Sequence, residues 1–345
     1  MFRSRRVLFS ALTLGLVLAG CKFTGFNDPA NPPVVTKATN WIKTQQQADG
    51  SFEVAGFPGF ETPDAIVAIA EKAQTTSKWD TAQALAAVTA AKTNGKSALD
   101  AVDDFADGTL SAGQAAKLIV LVAKPLGLST TAFDPQNDGA RNLVTAVNAG
   151  VQTDGSYGAF NATLYAALAK QQTSGSVPAK TLTLIRNAQQ ASGGWDFAGD
   201  HTATDADIDT SALAVQALVA GKVTKTDTNL TKGLQYLAAQ QTTGGAWQSF
   251  GSDDPNSTST AILAITAAGF DATSPCWRNT VSPALTGNAY GNPVNWIRTQ
   301  QAVDGHIASA NDAFPPVNTF ATSQSVQALE RGWLPVAWLD ARICQ

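Results

Sequence analysis

Charge is what this sequence has least of. Only 14% of its 345 residues are Asp, Glu, Lys or Arg, against about 25% in an average domain. The balance is acidic, with 23 basic and 27 acidic residues and a net charge of −4. Phosphate binding needs a basic face, so nucleic acid is not an expected partner. Cysteine and histidine are scarce too, at three and two. No cysteine pair stands at ligand spacing. A zinc centre, which needs three or four N, S or O ligands, is therefore not expected, and no metal ligands are assigned. The chain also lacks an uninterrupted apolar run of the ~20 residues that span a bilayer. What remains is 44% hydrophobic and rich in Ala and Thr, which suits a folded domain and not a disordered one.

The start of the chain reads as an address. Arg3, Arg5 and Arg6 precede an apolar run from Val7 to Leu18, and Leu18-Ala19-Gly20-Cys21 follows. A basic start, a short apolar core and small residues describe a secretory signal over residues 1–20. Leu-Ala-Gly-Cys resembles the lipobox of bacterial lipoproteins, which implies cleavage before Cys21 and lipidation of that cysteine. The expectation is a membrane-anchored protein on the extracytoplasmic face. Removing residues 1–20 takes away three arginines and shifts the net charge to −7, so attachment rests on the acyl chains and not on anionic lipids. Residues 21–36, with Pro29, Pro32 and Pro33, read as a stiff tether, and 37–345 as the folded domain. Cys276 and Cys344 are the other two cysteines. In an oxidising compartment they suggest one disulfide, with two separately buried thiols as the alternative.

The folded domain is a repeat. A helix ending in glutamine, a Gly turn and an aromatic recur as Gln46…Gly50-Ser51-Phe52, Gln152…Gly155-Ser156-Tyr157 and Gln190…Gly193-Gly194-Trp195. Gln241…Gly245-Ala246-Trp247 and Gln301…Gly305-His306-Ile307 continue it, and Asp107-Gly108-Thr109-Leu110 is a degenerate copy. Before each turn lies an amphipathic helix. After it comes a polar loop, then a helix small and apolar nearly all round: Asp64–Ile69, Ala115–Val120, Thr163–Leu168, Ser211–Gln216, Thr260–Ile265 and Ser323–Leu329. One apolar stripe marks an outer helix and an all-round apolar surface an inner one. Six of each in alternation predict a closed all-α double ring, with an extra helix at Thr81–Lys92 bridging the first two pairs. The turn glycines supply positive φ. The glutamine amides and aromatics are expected to clamp the junctions.

The Gln-x-x-Asp-Gly-Ser-Phe and Gln-Gln-x-x-Gly-Gly-x-Trp units resemble the repeats of the prenyltransferase and squalene/terpene cyclase superfamily over residues 37–340. So does the helix start Asp209-Thr210-Ser211-Ala212-Leu213. The resemblance implies an (α/α)6 toroid. Within the superfamily the chain looks most like exported bacterial relatives of the cobalamin-carrying transcobalamin and intrinsic factor domains, though it lacks their extra β-domain. No cofactor is assigned, and a cobalamin-like ligand is one implication. Triterpene cyclases use Asp-x-Asp-Asp-Thr, with one acid kept protonated. Here Asp205-Ala206-Asp207-Ile208-Asp209-Thr210 matches in part, which leaves Asp207 and Asp209 as candidate catalytic acids.

Every inner helix starts with short polar residues, and in a closed ring those starts converge on one mouth. The candidate ligand-binding residues there are Asp64, Tyr157, Asn161, Trp195, Asp205, Asp207, Asp209, Trp247, Asn256 and Asn318. The leading expectation is a monomeric, lipid-anchored protein that binds a small or amphipathic molecule or a short glycan at this mouth. An enzyme acting on terpenoid or polysaccharide through Asp207 or Asp209 is the alternative. A protein-interaction scaffold is a third.

Overall fold

The computed structural model describes residues 31–54, 56–74, 79–286, 289–311 and 318–337. Cys21 and Cys344 lie outside them, as do residues 1–30, so the anchor and the Cys276–Cys344 bridge stand as proposals. The chain opens with α1 (Asn31–Thr44), α2 (Thr62–Ala73) and α3 (Thr81–Ala90). Residues 31–36, expected in the tether, are therefore helical. Pro32 and Pro33 sit in the first turn of α1, where a missing N–H costs no helical bond. A hairpin of β1 (Lys92–Thr93) and β2 (Lys96–Ser97) leads to α4 (Ala98–Ala106). Next, α5 (Ala112–Leu118) runs on through a π-helical turn at Ile119–Ala123. Then come α6 (Leu143–Ala149), α7 (Phe160–Ser174), α8 (Ala179–Asn187), α9 (Ile208–Ala220) and α10 (Thr228–Gln240). A second hairpin, β3 (Trp247–Ser249) with β4 (Ser252–Asp254), precedes α11 (Pro255–Ala267). The chain continues with α12 (Pro275–Val281), α13 (Pro293–Thr299) and α14 (Thr319–Glu330).

Helices α2, α5, α7, α9, α11 and α14 form the inner ring. Each packs on the next, and α14 closes back on α2. Around them α1 covers the α14–α2 seam, α8 lies across α7 and α9, and α13 across α11 and α14. Helices α4, α6 and α10 cover α2, α5 and α9. This is the expected (α/α)6 toroid, with α3 bridging as predicted and α12 as a further addition against α10. Burial explains the partition: Thr62 to Glu71 of α2 are buried without interruption, whereas α8 buries only Thr181 and Ile185. Aspartate or asparagine side chains cap α3, α6, α9, α10, α11, α13 and α14 by accepting first-turn N–H groups, which satisfies donors the helix itself leaves open.

The repeat motif is a clamp that recurs five times, with a glutamine amide on the turn-glycine carbonyl in four copies and the Thr181 hydroxyl in its place on Gly155 (2.8 Å). Gln46, Gln189, Gln241 and Gln301 each donate Nε2–H to the carbonyl of the turn glycine four residues on, at 2.7–3.0 Å. The glycines Gly50, Gly155, Gly193, Gly245 and Gly305 have φ of 91–108°. A Cβ on Gly50 would lie 2.1 Å from the Ser97 carbonyl oxygen at the start of α4, and one on Gly305 2.4 Å from that of Lys37 in α1. Each turn is thus pressed against the next outer helix, and the last turn against the first helix. The backbone N–H two residues after the glycine is then pinned by an inner-helix hydroxyl. Phe52 bonds Thr62, Tyr157 bonds Thr163, Trp195 bonds Ser211, Trp247 bonds Thr258 and Ile307 bonds Thr322, at 2.9–3.0 Å. The degenerate copy does not follow this plan. Asp107 ends α4, and Gly108 is not among the positive-φ glycines.

These pins are buried, so one can be tested cleanly. Thr258→Val keeps the shape of a fully buried residue and leaves the Trp247 N–H without its acceptor. The expected cost is about 1–3 kcal/mol, read as a lower urea midpoint at unchanged slope. An unmoved midpoint would show that the hydroxyl pins contribute nothing to the ring.

One end of the ring is closed. The segment after α14 crosses beneath the inner helices' C-terminal ends. Trp333 donates its backbone N–H to Glu71 on α2 (3.3 Å) and its indole N–H to the Val120 carbonyl (3.0 Å), and Gln172 of α7 reaches the Pro335 carbonyl (2.8 Å). Trp79 packs on Trp333 with ring centroids 5.5 Å apart. Burial pushes the Glu71 carboxyl well above the usual carboxylate range, against the pull of the Trp333 N–H. The inner helices' N-terminal starts lie at the opposite end.

Candidate functional site

At that end the inner helices begin. Asn161, Asp209, Asn256 and Phe320 are each the second residue of an inner helix, α7, α9, α11 and α14. Four residues further, one turn down the same faces, stand Tyr165, Leu213, Thr260 and Gln324. Lys117 of α5 and Asp64 of α2 complete the circle.

Two features dominate it. On one wall Lys117 Nζ lies 2.9 Å from Asp64 Oδ2, with both side chains nearly buried, at 12% and 5% exposed. The Lys117 ammonium also donates to the Phe60 carbonyl (2.6 Å) and sits over the Phe60 and Phe320 rings, 4.7 and 5.7 Å from their centroids. Gln327 Nε2 donates to Asp64 from α14. Burial works against the Lys117 charge, but Asp64, Tyr165 and Glu53 together more than offset it, and the ammonium is held above its ordinary pKa. The loop that carries Phe60 is shaped by Glu53. Its carboxylate accepts the backbone N–H groups of Gly59, Phe60, Glu61 and Thr62 at 2.8–3.2 Å.

Asp209 stands on α9, three helices round the ring from α2 and so across the axis. Its Oδ1 accepts from Thr260 (2.8 Å) and its Oδ2 from Ser257 (3.2 Å), both on α11. The residue is exposed at the start of α9. Desolvation by the surrounding protein, with the Asp207 and Asp254 charges, raises its pKa to about 6 against the Thr260 and Ser257 hydrogen bonds. Tyr165 lies between the two walls. Burial raises its hydroxyl, the Lys117 charge lowers it, and Asp64 and Asp209 raise it further. The side-chain oxygens of Asn161, Asn256 and Gln324 are buried with no hydrogen-bond partner.

The expected residues divide. Asp64, Asn161, Asp209 and Asn256 come together at the mouth. Asn318 and Asp207 are spent as caps, on the N–H groups of Phe320 (3.0 Å) and Thr210 (2.7 Å). Asp205 is exposed in the preceding loop. Tyr157, Trp195 and Trp247 are not mouth residues. They are 4%, 0% and 0% exposed, and the two indoles donate to the Ile185 and Leu237 carbonyls of the outer helices. Their side chains fill the inner–outer junction, which the clamp requires. Lys117, Tyr165, Thr260, Gln324 and Gln327 were not anticipated. A lone lysine in the small-residue run Gly113-Gln114-Ala115-Ala116-Lys117-Leu118-Ile119 was the available signal. The exposed aromatics Phe57, Phe197 and Phe250 rim the mouth in the loops that lead into α2, α9 and α11, at 61%, 66% and 96% exposed. Phe250 tips its hairpin at φ 47°, a conformation rare for a bulky residue. Elsewhere, a groove of about 590 Å³ lined by Asp154, Lys180, Asn187 and His201 lies off the axis.

No family model matches the chain, and no curated protein matches it in sequence. Solved structures do share the fold. The type II terpene cyclase MstE from Scytonema superposes with a TM-score of 0.59 at 13% identity, covering 88% of this chain and 98% of that one. Its complex with geranylgeranyl dihydroxybenzoate gives 0.58 at 13%, with 90% and 99% covered. A UGL variant with the saccharide dGlcA-Glc-Rha-Glc gives 0.52 at 11%, with 89% and 98% covered. At these identities the likeness concerns the toroid alone.

Proposed function

We propose that the mouth is an active site in which Asp209 donates a proton to an oxygen-rich, saccharide-like substrate, outside the cytoplasm on the lipid carried by Cys21. The observation that carries this is Asp209 itself: an exposed acid at the start of an inner helix, held by Thr260 and Ser257 of the next one and raised to about 6. A general acid works best with a pKa near the working pH, and a perturbed acid in a cleft is a candidate on physical grounds. Structures of the same fold hold both a prenylated aromatic and a saccharide. The lining here favours the second. Asn161, Asn256 and Gln324 carry side-chain oxygens buried without partners at this end of the inner ring, a polar setting that suits a hydroxyl-rich substrate better than a hydrocarbon one. The exposed phenylalanines of the loops into α2, α9 and α11 suit the apolar face of a sugar ring.

A specific observation supports the non-catalytic reading as well. Glycoside hydrolysis uses two carboxylates, and the nearest acids to Asp209 are committed. Asp207 caps α9, and Asp254 caps α11 while accepting from Ser309 and Asn311. The two readings separate on a panel of neutral and uronate oligosaccharides offered to the purified protein. The enzyme is expected to show turnover that falls about tenfold per pH unit above pH 6, as Asp209 loses its proton. Saturable binding without product would establish the binder. Neither binding nor turnover would remove saccharides from consideration.

A further inference from the structure

A second cluster of acids lies on the outer flank, away from the mouth. One oxygen each from Asp103, Asp134 and Asp138 gathers within 4.8 Å. Asp103 projects from α4 and is 1% exposed. The other two belong to the loop Phe133–Arg141, which is closed by paired backbone hydrogen bonds between its ends at 2.8 Å. Gln136 docks this loop on α4. Its backbone N–H donates to Asp103 Oδ2 (2.7 Å) and its amide to the Asp100 carbonyl (3.1 Å) and to Asp104 (2.6 Å). Asp134 Oδ1 accepts the N–H groups of Asp138 (2.9 Å) and Gly139 (3.4 Å).

The remaining oxygen of Asp103, Oδ1, is buried and has no hydrogen-bond partner. A shielded, unpaired carboxylate oxygen beside two further acids is costly unless a positive charge meets it. The neighbouring cations are engaged elsewhere: Arg141 with Asp107 (2.6 Å) and Lys96 with Asp100 (3.8 Å). Burial, and then the Asp138, Asp134 and Asp107 charges, push the Asp103 carboxyl up to about 6 despite the Gln136 hydrogen bond.

We propose that Asp103, Asp134 and Asp138 form a divalent cation site of the calcium type, which ties the 133–141 loop to α4. The donor set is oxygen only, which selects a hard cation over zinc or copper. Three carboxylates on two separate segments, with water completing the shell, fit calcium's tolerance of irregular geometry better than magnesium's strict octahedron. The ion carries no role in the mouth chemistry. It is a structural strut on the ring's exterior.

The test uses the chelator-treated protein and calcium chloride alone. Equilibrium dialysis is expected to find one calcium per chain, with a dissociation constant on the order of 10⁻⁴–10⁻³ M. At 10 mM calcium the melting temperature is expected to rise by roughly 5 °C, and less with magnesium. Asp138→Asn, at an exposed position, leaves the apo melting temperature unchanged and weakens calcium at least tenfold. Asp103→Asn keeps the Gln136 hydrogen bond, raises the apo melting temperature above pH 6 by removing a charge that burial disfavours, and weakens calcium at least tenfold. Wild-type protein that binds no calcium at 10 mM overturns the proposal. So does binding that survives Asp138→Asn within twofold, a result that does not depend on how Asp103→Asn folds.

Discussion

Asp209→Asn is expected to lower turnover by roughly 10²–10⁴-fold and, above pH 6, to raise the melting temperature. Both effects come from one cause. The folded protein holds the Asp209 proton up to about pH 6, whereas the ordinary carboxyl value is 3.8. Between those values the native state binds more protons than the unfolded chain, so stability falls as pH rises through that window. Above it the ionised group weighs against folding. Asparagine removes the charge while its amide oxygen still accepts from Thr260 or Ser257. The variant is therefore expected to melt above wild type at pH 8 and level with it at pH 4. Retained turnover would end the catalytic assignment. A variant less stable than wild type at pH 8 would contradict the electrostatic account. An acid that costs stability where it stands is the usual mark of a residue kept for function.

Lys117→Met is expected to cost roughly 3–5 kcal/mol, the largest stability effect of a single change at the mouth. Methionine fills much of the lysine's volume but leaves Asp64, 5% exposed, without its cation. Gln327 gives the carboxylate only one long hydrogen bond, 3.4 Å to Oδ1, its other going to the Asp64 backbone carbonyl. The loss is thus mostly the burden of an unpaired buried charge, not the net worth of the pair. Asp64→Asn added to Lys117→Met is expected to return most of the difference, because a neutral amide needs no counter-ion. A denaturation series over the four proteins gives the coupling directly. If the double variant were as unstable as Lys117→Met alone, packing around Phe60 and Phe320, and not charge, would be the reason.

The ring was readable because its constraint is local and repeated. Five glycines at positive φ, each with a residue two positions on pinned to the next helix, leave the same trace in the sequence. The inner helices were placed by their uninterrupted Ala, Val, Leu and Ile. The site was half readable. Asp64, Asn161, Asp209 and Asn256 sit at helix starts, where polar residues draw notice. Lys117 and Tyr165 lie a turn deeper, among residues that look like core, and only the closed ring shows that they face an axis. Trp195 and Trp247 misled for the opposite reason. A tryptophan in a loop invites a ligand, but here each indole is consumed by a carbonyl of the outer helix. Pro32 and Pro33 misread as tether because a proline pair at a helix's first turn looks like linker until the turn is seen. Asp103 and Asp134 are 31 residues apart, and no local spacing joins them.

The seam where α14 meets α1 and α2 has a kinetic consequence. Its bonds join Gln301 to Val34, Gln327 to Asp64 and Thr319 to Glu61, across 267, 263 and 258 residues of chain. Closing a loop of that length costs about 5 kcal/mol of chain entropy beyond a constant term, and nothing at the seam can form until the final repeat is in place. Every other inner junction joins repeats that are neighbours in sequence. Folding should therefore run as a growing arc that stays open until its last step, with the seam the slowest contact to form and the first to part. Asp64 sits on that seam, so the width of the mouth at any instant depends on the junction that took longest to make.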